Sequence, residues 1–214
     1  MPINLPSDRK AVRAERARRL WASALNLPNQ LTFLRLALAV VMFCLIAWDF
    51  FLASFVLFVI AAGTDWLDGY FARKYGQVTT LGRILDPFAD KVIVCGTFIF
   101  LVAVPELLEV RFGLRPWMVV VIVGRELLVT ALRSFLEDQG ADFSAQFSGK
   151  LKMVLQCVAA GACLVYLDCG KAIGGAPAWV RWTMVASVWA AVLSTVYSGL
   201  AYVVAASRLV RSNR

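Results

Sequence analysis

Four aspartates in one short stretch of the chain have the spacing of a metal-binding site. Asp65 and Asp68 are three residues apart, and Asp86 and Asp90 are four residues apart. On a helix each pair would share one face, so two facing helices could direct all four carboxylates into a small volume. Because like charges repel strongly in a low dielectric, such a cluster would require cations. Hard divalent ions prefer oxygen ligands, so the spacing predicts a site for divalent cations such as Mg²⁺ or Mn²⁺.

Apolar segments surround these aspartates, and ionisable groups in or beside a membrane mark a functional site. A two-metal centre suits in-line displacement at phosphorus, because one ion activates the attacking oxygen and the other stabilises the leaving phosphate. The chain contains no histidine, which excludes Ser-His-Asp triads and histidine-based zinc sites. Its five cysteines have no C-x-x-C spacing and are interpreted as packing residues.

The composition predicts an all-α integral membrane protein. Hydrophobic residues make up 60% of the chain, and its mean hydropathy is +0.72. A helix needs about 20 predominantly apolar residues to cross a bilayer. We predict six transmembrane helices, within a single membrane domain at 25–214, at residues 31–48, 52–72, 86–104, 116–136, 151–168 and 180–206.

The net charge of +8 is distributed unevenly along the chain. Basic residues precede the first predicted span, follow the second, fourth and sixth, and are fewer or offset by acids elsewhere. The positive-inside rule then puts both termini, and the aspartate cluster, on the cytoplasmic side. Residues 1–24 fit either an amphipathic helix on the anionic membrane surface or a disordered basic arm that only sets topology. We expect a membrane lipid partner and no nucleic acid.

The segment from Asp65 to Asp90 resembles the signature of the CDP-alcohol phosphotransferase family, D-x2-D-G-x2-A-R-x8-G-x3-D-x3-D. All its fixed positions are filled, by Asp65, Asp68, Gly69, Ala72, Arg73, Gly82, Asp86 and Asp90. The resemblance implies transfer of a phosphatidyl group from a CDP-linked lipid to an alcohol, with release of CMP. It also implies that all four aspartates bind metal, that Asp90 is in addition the catalytic base, and that the protein is a homodimer.

The same resemblance implies a site for CDP-diacylglycerol around the motif. Small residues there would let the pyrophosphate approach the helix backbone, and an arginine would bind phosphate or cytidine. The candidate residues are Pro28, Asn29, Asp68, Gly69, Ala72, Arg73, Thr79 and Gly82. Close helix–helix packing is the alternative explanation for the glycines, because small residues also permit it in membranes.

Four cations in the second half of the chain are candidates to bind the phosphate of an acceptor alcohol: Arg125, Arg133, Lys150 and Lys152. The alternative is that Arg133 and the lysines extend to the cytoplasmic interface as topology anchors. The two lysines are about 200° apart on a helix, so both cannot face one pocket squarely. Glu126 is either the counter-ion of Arg125 or a group that orients a substrate-binding arginine.

The resemblance extends to one subfamily, the bacterial phosphatidylglycerophosphate synthases. It rests on Leu27–Thr32 with Arg35, on the run from Arg125 to Arg133, and on Gly149 to Lys152. It implies glycerol 3-phosphate as acceptor, phosphatidylglycerol phosphate and CMP as products, and a place in the bacterial inner membrane. Two alternatives stay open. One is the same family with inositol phosphate, serine or phosphatidylglycerol as acceptor, and the other is a divalent-cation transporter.

Overall fold

The computed structural model describes residues 27–75, 80–138 and 147–212. Within these ranges the described side chains are those of residues 30, 32–64, 85, 87–134 and 151–207, and elsewhere the backbone alone is described. The predicted basic arm at 1–24 and Thr79 lie outside the described residues.

All regular structure in these three ranges is helical, as the composition predicts. The helices are α1 (Leu27–Ala47), α2 (Phe51–Tyr75), α3 (Thr80–Val102), α4 (Pro105–Glu109), α5 (Pro116–Asp138), α6 (Phe147–Ile173) and α7 (Ala178–Ser212). The long helices lie over the six predicted apolar segments, and only the short α4 was not expected. Over the part of the chain described, two stretches are long and apolar enough to cross a bilayer, Leu151–Ile173 and Ala178–Ser207. This agrees with a membrane protein, whereas six crossings stay a prediction.

Contacts between α1 and α3 show that these two helices run in the same direction. Arg35 of α1 donates to Asp90 of α3 at 3.0 Å. One to two turns further along both helices, the Thr97 hydroxyl lies 4.0 Å from the Met42 sulfur. Since the two pairs follow one another in the same order on each helix, α1 and α3 are parallel.

Contacts between α5 and α7 show the same parallel arrangement. Arg125 donates to Ser198 at 3.1 Å, and Arg133 donates to Tyr202 at 3.0 Å. Near the start of α6, Lys152 contacts Glu126 of α5. The first part of α6 therefore lies beside the second halves of α5 and α7.

The bundle consequently has two distinct ends. One end carries Asp90 and the contacts of Arg35, Arg125, Arg133 and Lys152 described above. We call it the aspartate end. At the opposite end, Lys171 donates to the carbonyl of Asp49 at 3.0 Å, and the Trp189 indole donates to the carbonyl of Phe112 at 3.0 Å. We call this the distal end, and it carries the connections that follow α1, α3 and α6.

Apolar side chains fill the interior between the helices and also cover much of the outside. Those buried completely or nearly so include Met42, Phe98, Leu101, Ile122, Leu164, Met184 and Val188. Large apolar residues that remain exposed include Trp48, Val120, Leu127, Leu193 and Leu200. Extensive exposed apolar surface of this kind fits contact with lipid, which removes it from water.

Close packing of α1 against α3 is centred on Gly96. A Cβ atom added there would lie 2.2 Å from Cζ of Phe43. The Phe43 ring is itself stacked on Phe100, with ring centroids 4.9 Å apart. A side chain at this position would therefore force the stacked Phe43 ring to move.

We expect Gly96→Ala to lower the thermal unfolding temperature of the detergent-solubilised protein. Alanine normally stabilises a helix interior over glycine by about 0.5–1 kcal/mol. Here overpacking, which typically costs about 1–3 kcal/mol, outweighs that gain. Gly124→Ala is the matched control, because among the described residues the added Cβ would meet no atom within 4 Å beyond its chain neighbours and the nearby backbone of its own helix. It should leave stability unchanged or raise it, and an equal response of the two variants would contradict the packing argument.

Candidate active site

Asp90 lies near the middle of α3 and is paired with a buried arginine. Nη1 of Arg35, whose side chain is 2% exposed, donates to Oδ1 of Asp90 at 3.0 Å. A guanidinium buried in an apolar bundle requires a counter-charge, because desolvation of an unpaired ion is costly. The Asp90 side chain is 27% exposed, so its carboxylate reaches from this pair towards the surface. Sequence reasoning did not include Arg35 among the site residues.

The other predicted metal ligands lie on the helices that the spacing argument required. Asp65 and Asp68 are in the last part of α2, and Asp86 is in the first part of α3. Asp65 and Asp68 therefore share one face of α2, and Asp86 and Asp90 share one face of α3. The side chains of these three residues lie outside those described, so the convergence of all four carboxylates stays a prediction.

The predicted nucleotide-binding residues also lie at this end, as far as their backbone is described. Gly69, Ala72 and Arg73 are in the last turns of α2, and Gly82 is in the first turn of α3. Pro28 and Asn29 are in the first turn of α1. The side chains at these positions are not among those described, and their contacts stay predictions.

A buried carboxylate joins two of the predicted acceptor-binding cations. The Lys152 ammonium contacts Oε1 of Glu126, and Nη1 of Arg125 lies 3.3 and 3.4 Å from the two Glu126 carboxylate oxygens. These three side chains are each 10% exposed or less. Glu126 is thus the counter-ion of Arg125, and Lys152 shares the same single negative charge. Lys150 is in the first turn of α6, and its side chain lies outside those described.

Helix α7 supplies polar groups that sequence reasoning missed. Ser198 accepts from Nε of Arg125 at 3.1 Å, and the Tyr202 hydroxyl accepts from Nη2 of Arg133 at 3.0 Å. The Arg125 guanidinium also lies over the Tyr202 ring, 5.6 Å from its centroid. Together with Thr195, these residues have i, i+3, i+7 spacing in an apolar helix. That pattern places polar groups on one face and could have identified them.

Two further features complete this polar region between α5, α6 and α7. Gln156, one turn after Lys152, is 1% exposed and donates to Oγ1 of Thr195 at 3.0 Å. Nε of Arg133 is buried and has no hydrogen-bond partner among the described residues. Such a donor is costly to leave unpaired, so it is suited to bind an added acceptor atom. We call Arg125, Glu126, Arg133 and Lys152 the basic cluster.

Comparison with known proteins identifies one family, and the two relatives described below carry the same name. Residues 25–205 match the sequence profile of the CDP-alcohol phosphatidyltransferases. A Bacillus subtilis (strain 168) protein named CDP-diacylglycerol–glycerol-3-phosphate 3-phosphatidyltransferase is 39% identical over 157 residues, which cover 66% of this chain and 77% of the relative. The Escherichia coli (strain K12) protein of the same name is 34% identical over 187 residues, or 85% of this chain and 94% of the relative.

We expect Glu126→Gln to lower the free energy of unfolding by about 3–5 kcal/mol, because it leaves buried cations without their counter-charge. Lys171→Met is the control. Lys171 pairs with Asp49 at 3.9 Å, but both side chains are more than half exposed, and exposed pairs contribute about 1 kcal/mol or less. Reversible unfolding in mixed micelles measures both. If the two losses were similar, the Glu126 carboxylate would not be the electrostatic centre of this region.

Proposed function

Because this chain belongs to the CDP-alcohol phosphatidyltransferase family and is a transferase, we propose that it transfers the phosphatidyl group of CDP-diacylglycerol to glycerol 3-phosphate. The products are phosphatidylglycerol phosphate and CMP. Both relatives described above carry the name of this reaction. In the transfer, a hydroxyl oxygen of the acceptor bonds to the phosphorus of the phosphatidyl group. The bond from that phosphorus to the bridging oxygen breaks, and CMP leaves with that oxygen.

The proposed choice of acceptor rests on the charge of the basic cluster. Three cations, Arg125, Arg133 and Lys152, lie with one carboxylate, Glu126, so the cluster has an excess of two positive charges (three minus one). A phosphate monoester carries about −1.5 to −2 at neutral pH. Glycerol 3-phosphate would therefore neutralise the cluster, whereas an uncharged alcohol would leave buried cations uncompensated. The Nε of Arg133, which has no hydrogen-bond partner within the described part of the chain, is a further donor for the phosphate.

The proposed catalytic base is Asp90. Its carboxylate would accept the proton of the attacking hydroxyl, and a carboxylate can do so when it is within hydrogen-bond reach. Arg35 would hold this carboxylate in place through its 3.0 Å contact with Oδ1. Arg35 is thus a positioning residue in this proposal.

The four aspartates form a donor set that fits divalent cations, since carboxylate oxygens are the ligands that Mg²⁺ and Mn²⁺ prefer. Asp65, Asp68, Asp86 and Asp90 would hold two such ions. When bound, these ions would polarise the reacting phosphate and stabilise the charge that develops on it. Gly69, Ala72 and Gly82 would leave room for the nucleotide. The other residues proposed to bind it are Pro28, Asn29, Asp68, Arg73 and Thr79.

We further propose that the six long helices cross the bacterial inner membrane. Both termini and the aspartate end would then face the cytoplasm, where CDP-diacylglycerol and glycerol 3-phosphate are bound. This agrees with the positive-inside rule, because basic residues precede the first predicted span and follow the second, fourth and sixth. The homodimer implied by the family resemblance is part of the same proposal.

Replacing Arg133 by alanine should raise the KM for glycerol 3-phosphate about ten- to a hundredfold. Charge-assisted hydrogen bonds to phosphate contribute about 1.5–3 kcal/mol, and the KM for CDP-diacylglycerol should change much less. Steady-state CMP release with each substrate varied in turn measures both constants. Arg181→Ala at the distal end is the matched control and should change neither. Equal loss for both substrates would point to a folding role for Arg133, and equal use of free glycerol would exclude a phosphorylated acceptor.

Asp65→Asn should reduce CMP release by orders of magnitude while the protein remains folded, because the substitution removes a charged metal ligand. EDTA should abolish the activity of the unsubstituted protein, and added Mg²⁺ or Mn²⁺ should restore it. Asp168→Asn, a carboxylate on α6 outside the motif, is the control and should retain full activity. Activity that persists in EDTA would contradict the metal assignment. Near-normal activity of Asp65→Asn would remove this residue from the ligand set.

A further inference from the structure

A cavity lies at the distal end, away from Asp90 and the basic cluster. Its volume is about 880 Å³, and its wall is formed by residues of α4, of the connections after α1, α4 and α6, and of the adjoining turns of α2, α6 and α7. This volume lies in the range of about 300–1,000 Å³ that is usual for ligand sites. None of the residues assigned to the transfer reaction lines it.

Two residues in the wall of this cavity have an unfavourable backbone conformation that cross-helix hydrogen bonds stabilise. Asp49 has φ of 59° and Phe112 has φ of 65°, and among the described residues they are the only non-glycine residues with positive φ. The Asp49 carbonyl accepts from Lys171, and the Phe112 carbonyl accepts from Trp189. Such strain persists only where the surrounding structure enforces it, and it is concentrated at binding sites. These two hydrogen bonds therefore fix the backbone in the wall of the cavity.

The charged side chains in the wall are balanced in number. Three are acidic and three are basic: Asp49, Glu106, Glu109, Arg111, Lys171 and Arg181. Lys171 and Asp49 pair with each other at 3.9 Å. Within the described part of the chain, the other two acids and the two arginines form no ion pair. Two carboxylates and two guanidinium groups consequently remain available to a ligand.

Each arginine makes a cation–π contact with the aromatic ring of the next residue. The Arg111 guanidinium lies 5.2 Å from the centroid of Phe112, and that of Arg181 lies 5.8 Å from the centroid of Trp182. Such a contact uses none of the N–H groups of a guanidinium, which can bind phosphate in a bidentate manner. Glu106 and Glu109, on the other hand, suit an ammonium group.

We propose that this cavity binds the headgroup of a zwitterionic phospholipid, with the phosphate on Arg111 and Arg181 and the ammonium group on Glu106 and Glu109. The exposed indoles of Trp179 and Trp182 lie at the start of α7 beside the cavity, as expected for aromatic anchors at a membrane interface. The acyl chains would lie along the apolar outer surface. The assignment rests on the proposed membrane placement, but it does not depend on which alcohol accepts the phosphatidyl group.

Binding of short-chain phosphatidylethanolamine to the full-length protein in detergent tests this assignment by native mass spectrometry. Phosphatidylglycerol with the same chains, which lacks the ammonium group, should bind at least tenfold more weakly. Soluble O-phosphoethanolamine, which has no acyl chains, should also bind at least tenfold more weakly. Combining Arg111→Gln with Arg181→Gln should weaken phosphatidylethanolamine binding about ten- to a hundredfold.

The double substitution Glu106→Gln with Glu109→Gln should remove most of the preference for phosphatidylethanolamine over phosphatidylglycerol. Asp168→Asn and Arg208→Gln, which remove like charges outside the cavity wall, are the controls and should bind as the unsubstituted protein does. CMP release should be unchanged in all variants, which separates this site from the transfer reaction and also verifies folding. If a double variant fails to fold, Arg111→Gln alone supports the same comparison. Equal binding of the two lipids, unchanged affinity of the arginine variant, or equally tight binding of O-phosphoethanolamine would overturn the proposal.

Discussion

The buried carboxylate of Glu126 is the interaction on which the second half of the bundle depends. Arg125 and Lys152 project into an apolar interior, where an isolated cation would incur a desolvation cost of several kcal/mol or more. Glu126 contacts both cations and supplies one of the two negative charges that their full compensation requires. The pairing fixes α5 against α6, and the bond from Arg125 to Ser198 fixes α5 against α7. The polar contacts that hold these helices together therefore also set the geometry of the proposed acceptor site.

The first half of the bundle uses the same physical solution on a smaller scale. Arg35 is almost completely buried, and its contact with Asp90 joins α1 to α3. Deeper in the same interface the contact is apolar and close, because Gly96 lets the Phe43 ring lie against the α3 backbone. Charge compensation thus operates at the aspartate end of this interface, and steric fit operates in its interior.

The distal end is organised differently, by hydrogen bonds to backbone carbonyls. Arg115 donates to the carbonyl oxygens of Leu108 at 2.7 Å and of Val110 at 3.2 Å, and Trp189 donates to that of Phe112. These bonds satisfy carbonyl groups that the end of a short helix leaves without intrahelical partners. The connection between α4 and α5 is consequently fixed in shape, although it contains no long helix.

The sequence by itself determined the helical class, the positions of the long helices and the family. Hydrophobic stretches of sufficient length and a motif with eight fixed positions are local properties of the chain, and no contact between distant residues is needed to read them. The sequence offered two roles for Glu126, as the counter-ion of Arg125 or as a group that orients a substrate-binding arginine, and left the choice between them open. The membrane crossings, the metal ligation and the nucleotide contacts were also inferred from local sequence patterns, and they remain predictions.

Only the tertiary structure decided which distant groups meet. Arg35 and Asp90 are 55 residues apart, and Arg133 and Tyr202 are 69 residues apart. Their pairing depends on the direction and rotation of packed helices, which hydrophobic pattern alone does not specify. Lys152 was one of two candidates from the sequence, and packing of α6 turned it towards Glu126. The cavity at the distal end was not foreseen, because connections that are distant in sequence form its wall. The positive φ of Phe112 in this wall is likewise stabilised by a contact between distant residues, the hydrogen bond from Trp189.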